Sequence, residues 1–269
     1  MKFFKPLLIL PAIIIFIAVA SCDKLVTNPV PDDLEGWTVI EDGLFFKETQ
    51  INTSNGEEKD IVIVKIDPRK FQFNIYQNPN KESSKNIKEV HEETSSLLTF
   101  NGSYFTEEFE PTGLLISNYT TIRETSNADL LNGILAISNK GIAYIYDSNS
   151  FRENPAIEFA IQNGPVIYKD GKSKITPDNN ASSSRTIIGT DKDNNIVIII
   201  LKRNLLNPSN TISLYEMAKL IEESSQLSSL GLQSVLNLDG GSSTGLMVGD
   251  RYFAEMEKVQ NIIITSKRK

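Results

Sequence analysis

The chain has 269 residues, with 27 Lys and Arg against 34 Asp and Glu, one His and one Cys, for a formal net charge of -7 at pH 7. An acidic balance with no basic stripe excludes nucleic acid as a partner, because phosphate backbones are held by clustered cations. A single cysteine excludes an intrachain disulfide, and with one His beside it the usual His/Cys zinc site cannot be built.

Lys2 and Lys5 precede an apolar run from Leu7 to Val19, which closes in Val19-Ala20-Ser21-Cys22. Basic flank, short apolar core and small residues describe a secretory signal. A Cys directly after the small residues resembles a bacterial lipobox, in which that Cys is lipidated and becomes the mature N-terminus. Residues 1–22 are therefore expected to be a lipoprotein signal peptide, and 23–34, polar with prolines, a tether. The alternative is an uncleaved membrane anchor, for which the apolar run is short. Either way the expected location is the cell envelope, outside the cytoplasm, with the membrane reached through Cys22. Residues 35–269 suffice for one sizeable domain or two small ones.

The strand signal dominates. Asp60–Ile66, Phe71–Tyr76, Gly133–Ile137 and Ile196–Leu201 are β-branched or aromatic runs bounded by turn residues. Asn139-Lys140-Gly141 and Lys169-Asp170-Gly171-Lys172 suit hairpin turns. One helix is signalled by Ser213-Leu214-Tyr215-Glu216, which fits a capping box, followed by an apolar face of Leu214, Met217, Ala218 and Ile221. A second is expected around 85–95. The fold class read from this is α+β, a mainly antiparallel or mixed sheet with a few packed helices.

Four segments carry chemical content. Phe100-Asn101-Gly102-Ser103-Tyr104-Phe105 leaves an apolar strand for a polar pair and then aromatics, so it is either a turn with core aromatics or a sugar-stacking surface beside an amide. Gln162-Asn163-Gly164-Pro165 reads by itself as a bend. Ser184-Arg185-Thr186 sets an Arg at the mouth of a buried strand, where it serves an edge salt bridge or grips phosphate or carboxylate with its planar fork. Asn237-Leu238-Asp239-Gly240-Gly241-Ser242-Ser243 ends a strand in an acid and two glycines. That is a tight turn, or a carboxylate and free amides brought to one place.

Other chemistries fit poorly. Asp191-Lys192-Asp193-Asn194-Asn195 starts like a calcium loop, but Ile196 and Lys202 stand where the Gly and the bidentate Glu belong, so it reads as a hairpin turn. No G-x-S-x-G elbow supports Ser242 or Ser243 as a nucleophile with His91.

Taken in order, Asn101-Gly102-Ser103-Tyr104-Phe105, Pro111-Thr112-Gly113-Leu114-Leu115, Gln162-Asn163-Gly164-Pro165, Ser184-Arg185-Thr186-Ile187-Ile188-Gly189 and Asn237-Leu238-Asp239-Gly240-Gly241-Ser242-Ser243 resemble the phosphodiester glycosidase family. The resemblance spans roughly residues 60 to 266. It departs at Ser103-Tyr104, where the family often has Gly-Phe, and at Ser242, where it has a third Gly or a Pro.

The resemblance implies a hydrolase that cleaves a glycosidic bond between a sugar and a phosphodiester-linked group on an extracytoplasmic glycan or glycoconjugate. It implies Asp239 as the carboxylate that activates water or attacks the anomeric carbon. Arg185, with the amides of Gly240, Gly241 and Ser242, would hold the phosphate. Asn101 would orient a sugar hydroxyl or the phosphate, and Gly102 and Ser243 would complete the substrate site. Glu107, Glu108 and Glu110 are candidates for a second carboxylate. No cofactor is expected, although an oxygen-ligated divalent cation stays open. The competing class is a non-catalytic glycan-binding lipoprotein of the envelope.

Overall fold

The computed structural model describes residues 36–176 and 181–269. The expected signal peptide, the lipidated Cys22 and the tether lie outside the described residues.

In chain order the strands are β1 (Thr38–Glu41), β2 (Leu44–Asn52), β3 (Glu58–Ile66), β4 (Phe71–Gln77), β5 (Leu98–Asn101), β6 (Leu115–Ser117), β7 (Thr120–Arg123), β8 (Gly133–Ser138) and β9 (Ala143–Asp147). They continue with β10 (Ile157–Asn163), β11 (Val166–Lys169), β12 (Lys172–Ser173), β13 (Arg185–Asp191), β14 (Ile196–Leu201), β15 (Leu232–Asn237), β16 (Leu246–Val248), β17 (Arg251–Phe253) and β18 (Asn261–Lys267). Three α-helices are described, α1 (Ile87–Thr94), α2 (Leu214–Glu223) and α3 (Ser225–Ser228).

Three sheets form, and every described pairing is antiparallel. The largest has eight strands in the order β1-β2-β3-β14-β13-β15-β11-β12. The others have five each, β7-β6-β10-β8-β9 and β17-β16-β5-β18-β4. The α+β expectation holds only coarsely, since the described chain is mainly β. The pattern of short runs separated by turn residues gave strands their weight, and the helices serve as covers.

Inner faces of all three sheets meet in one core, with Val64, Ile198 and Leu236 from the first, Leu135 and Phe159 from the second, and Phe73, Phe100 and Ile263 from the third. Helix α2 lays Met217, Ala218 and Ile221 on the opposite face of the large sheet, against Ile187 and Ile199. Helix α1 covers the third sheet with Ile87 and Val90 against Met247 and Ile262. Strand β14 is therefore buried on both faces. That is why Ile196–Leu201 reads as an unbroken apolar run, whereas β2, with one solvated face over part of its length, mixes buried and exposed positions.

The expected hairpins at 139–141, 169–172 and 191–195 all form, between β8 and β9, β11 and β12, and β13 and β14. In the last, Asp191 accepts from the amides of Asp193 and Asn195, which makes it a side-chain-closed turn. Ser213 does cap α2 by accepting from the Glu216 amide. Its reciprocal bond is missing because the Glu216 carboxylate accepts from Ser54 instead. The complete capping box is at α1, between Asn86 and Glu89.

Candidate active site

The site lies where the ends of two sheets meet. Strand β15 runs through the middle of the large sheet, paired with β13 and β11, and releases Asn237, Leu238 and Asp239 at its end. Strand β5 ends in Asn101 in the third sheet. Backbone bonds tie the two ends together: the Asp239 amide donates to the Gly102 carbonyl at 3.3 Å, and the Asn101 amide donates to the Gly245 carbonyl at 3.3 Å.

Such close approach needs glycine. A Cβ at Gly102 would lie 2.0 Å from Asn261 Oδ1, and one at Gly240 would lie 2.9 Å from the Ser184 carbonyl. Side chains at either position would push the strand ends apart.

Asn101 is fully buried. Its Nδ2 donates to the Asp239 carbonyl at 2.7 Å, and its Oδ1 accepts from the Thr186 hydroxyl at 2.8 Å and from the Gly245 amide at 3.2 Å. Asn101, expected to orient a sugar hydroxyl or the phosphate, thus has both amide atoms engaged within the protein. One amide side chain clamps β5, β13 and both ends of the Asp-Gly-Gly turn from beneath.

Two of the three amides expected to face a phosphate are likewise engaged within the protein. The Gly240 amide donates to Asp239 Oδ1 at 2.9 Å, and the Gly241 amide donates to the Ser184 carbonyl at 2.9 Å. Ser242 instead offers its carbonyl, which accepts from the amides of Met256 and Glu257. Ser243 is buried and its hydroxyl hydrogen-bonds the Asp239 carboxylate.

The Asp239 carboxyl is half-buried, and its pKa is pushed up to about 6. Burial is the largest cause; the bonds from Ser243 and Gly240 oppose it, and the negative charge of Glu257 adds to it. Glu257 is therefore the carboxylate that Asp239 feels. Sequence reasoning missed it because it belongs to no motif; only the two bonds to the Ser242 carbonyl bring its loop to the turn. Glu107, Glu108 and Glu110 are exposed in a short loop closed by the Phe105 to Pro111 bridge.

Tyr104 feels the charge of both charged candidates. Its hydroxyl donates to the Gly164 carbonyl at 3.0 Å and accepts from Asn237 Nδ2 at 2.6 Å. Burial pushes its pKa up to about 12, the Asp239 charge adds to the rise, and the Arg185 charge opposes it. The phenol is thus protonated at any physiological pH and sits within electrostatic reach of both. Arg185 is half-buried, and its guanidinium donates to the carbonyls of Ile212 at 3.0 Å and Ala181 at 2.7 Å, which fix its orientation.

Among the described residues, four buried side-chain atoms have no hydrogen-bond partner: both amide atoms of Asn163, Asn237 Oδ1 and Thr244 Oγ1. These belong to the strand ends and turn around Tyr104 and Asp239. Buried polar atoms are nearly always paired, so their concentration here marks the region as built for more than packing. His91 bonds Thr99 through Nδ1 at 2.9 Å. Among the described residues no group of three or more His, Cys, Asp or Glu side chains is placed to hold a metal ion. Among them, too, no helix is long and apolar enough to cross a membrane.

A mainly antiparallel three-sheet protein with a raised-pKa aspartate at a glycine turn is the class that fold and site define. The phosphodiester glycosidase family model matches residues 95–266. This chain belongs to that family. No curated protein matches the chain. Among solved structures it is similar to the catalytic domain of zebrafish N-acetylglucosamine-1-phosphodiester alpha-N-acetylglucosaminidase, auto-inhibited by its pro-peptide. That match has a TM-score of 0.64 at 14% identity and covers 84% of this chain and 83% of that one. A hypothetical protein from Synechocystis matches with a TM-score of 0.63 at 15% identity, over 84% of this chain and 62% of the other. At these identities the likeness is one of fold.

Proposed function

We propose that this protein is a phosphodiester glycosidase that acts outside the cytoplasm and breaks the bond between a sugar's anomeric carbon and the oxygen of a phosphodiester. The observation that carries the reading is the Asp239 carboxyl, held half-buried at a strand end with its pKa near 6. A carboxylate displaced toward neutrality by burial is a mark of a catalytic base, and a site that only binds glycans gains nothing from it.

In this reading Asp239 takes a proton from water as the water oxygen bonds to the anomeric carbon. The bond from that carbon to the phosphate oxygen breaks, and its electron pair leaves with the phosphate monoester. The proton held by Asp239 then passes to the departing monoester or to solvent, which restores the carboxylate; the products are a free sugar and a phosphate monoester. A phosphate monoester has its second ionisation near pH 6, so the departing oxygen needs little help from a general acid. Glu257 acts through Asp239, keeping its proton affinity high. Arg185, whose charge is felt at Tyr104, contributes positive charge toward the anion that gathers as the phosphate leaves.

Lipid anchoring through Cys22 is part of the same proposal and rests on the sequence alone. The test is hydrolysis of a panel of synthetic sugar-1-phosphate methyl diesters by the full chain, read as free reducing sugar. Release from at least one member, lost in Asp239→Asn, is expected. No release from any common hexose or N-acetylhexosamine would contradict the proposal.

A further inference from the structure

Next to the Asp-Gly-Gly turn lies a cavity of about 880 Å³. Its walls include Leu205, Pro208, Phe253 and Met256, with Lys202, Arg203 and Glu255 on the same lining; the Glu255 carboxylate accepts from the Ile87 amide and the Tyr252 hydroxyl. Two backbone contacts join it to the turn: the Met256 amide donates to the Ser242 carbonyl at 2.8 Å, and the Arg203 amide donates to Ser184 Oγ at 3.2 Å. Ser184 in turn accepts from Gly241 through its carbonyl. The cavity therefore adjoins the candidate site through shared backbone.

Its chemistry is two-sided. Leu205 and Leu206 are fully exposed and Met256 is 59% exposed, an unusual cluster of apolar side chains left in water. Among the described residues, neither Lys202 nor Arg203 has a carboxylate within ion-pair distance. Burial lowers the pKa of Lys202, while the nearby Glu255 charge opposes that and Arg203 adds to it. Two cations without a bound counter-charge, beside an apolar wall, match a molecule with an anionic head and a hydrocarbon body.

We infer that this cavity receives the phosphate and an apolar group on its far side, so that the substrate is a sugar joined through phosphate to a hydrocarbon-like alcohol. This rests on the proposed function for the position of the sugar, while the fit of the cavity to an apolar phosphate ester stands separately. Cleavage on the sugar side leaves an alkyl phosphate as the second product. The cavity would hold that product too.

The product supplies the probe. Hexyl phosphate and methyl phosphate are titrated into the full chain held in lipid nanodiscs, alongside Leu205→Ser/Met256→Ser and Lys202→Gln/Arg203→Gln. Each buried methylene is worth about a factor of four in affinity, so two of the five extra ones suffice for a tenfold preference for hexyl phosphate. The apolar-wall variant is expected to lose that preference while keeping methyl phosphate binding, and the cation variant to weaken both ligands. Equal affinity for the two esters, or a preference that survives the apolar-wall variant, would overturn the inference. If those substitutions change only how strongly the protein holds anionic vesicles, the patch is a membrane face and the inference also fails. Tight hexyl phosphate binding in a protein that hydrolyses no sugar diester would uphold the cavity and bring down the proposed function alone.

Discussion

The side chain of Asn101 holds the backbone of Asp239: Nδ2 donates to the Asp239 carbonyl at 2.7 Å from a position with no solvent exposure. That amide side chain is a peg on which the Asp-Gly-Gly turn hangs. Its other partners, Thr186 and Gly245, extend that support to β13 and to the far end of the turn.

Asn101→Ala should therefore cost stability as well as activity. It strands the Thr186 hydroxyl and the Gly245 amide without their acceptor in a buried place, for a loss of about 3 kcal/mol. Denaturant unfolding measures this. A substrate-contact residue on the surface would instead change the KM and leave the midpoint where it was.

Asp239→Asn should remove turnover and stabilise the protein at neutral pH. The folded state keeps the Asp239 proton up to about pH 6, while the unfolded chain releases it near 3.8. Across that window the folded state binds more protons, so stability falls as pH rises. Above it the wild type carries a penalty of at most about 3 kcal/mol that the amide lacks. The melting temperature of the variant should exceed that of the wild type at pH 7.5 and approach it at pH 3.5. For the wild type, turnover should rise with pH through about 6 and then level off, as the base ionises.

Glu257→Gln should move that acid limb to lower pH, because it removes a negative charge that raises the pKa of Asp239. Substitution of Glu107, Glu108 or Glu110 by Gln should leave the limb in place. A shift from one of those three would return the second carboxylate to the loop where the sequence suggested it.

Gly102→Ala should fold poorly, since its Cβ falls on Asn261, whose Oδ1 also accepts from the Ser103 amide at 2.7 Å. Several kcal/mol are expected, the range for a clash that rigid backbone and an engaged side chain cannot relieve. Circular dichroism melting reads it directly.

Cys22→Ser should release the protein from membranes into the soluble fraction. Unchanged partition would favour an uncleaved anchor.

What was legible in the sequence follows from how local each signal is. Ile196–Leu201 announces a strand by composition alone, and Asn139-Lys140-Gly141 announces a turn by its φ requirements. The Asp-Gly-Gly turn was visible for the same reason, because only glycines permit that approach. The direction of the Asn101 side chain was not, since the partners that claim it lie 85 and 138 residues away in the chain. Glu257 was out of reach as well. An ordinary glutamate in a loop gains meaning only from the fold that brings it beside Ser242, and the Glu216 carboxylate was lost to Ser54 by the same kind of long-range competition.

In the proposed reaction the bond broken is the one between sugar and oxygen, with Asp239 directing water to carbon. Hydrolysis of a sugar-1-phosphodiester in water enriched in the heavy oxygen isotope decides it by mass spectrometry of the two products. The label is predicted in the released sugar, with none in the phosphate monoester. Label on phosphorus would rule this reaction out and make the same turn the centre of a phosphodiesterase.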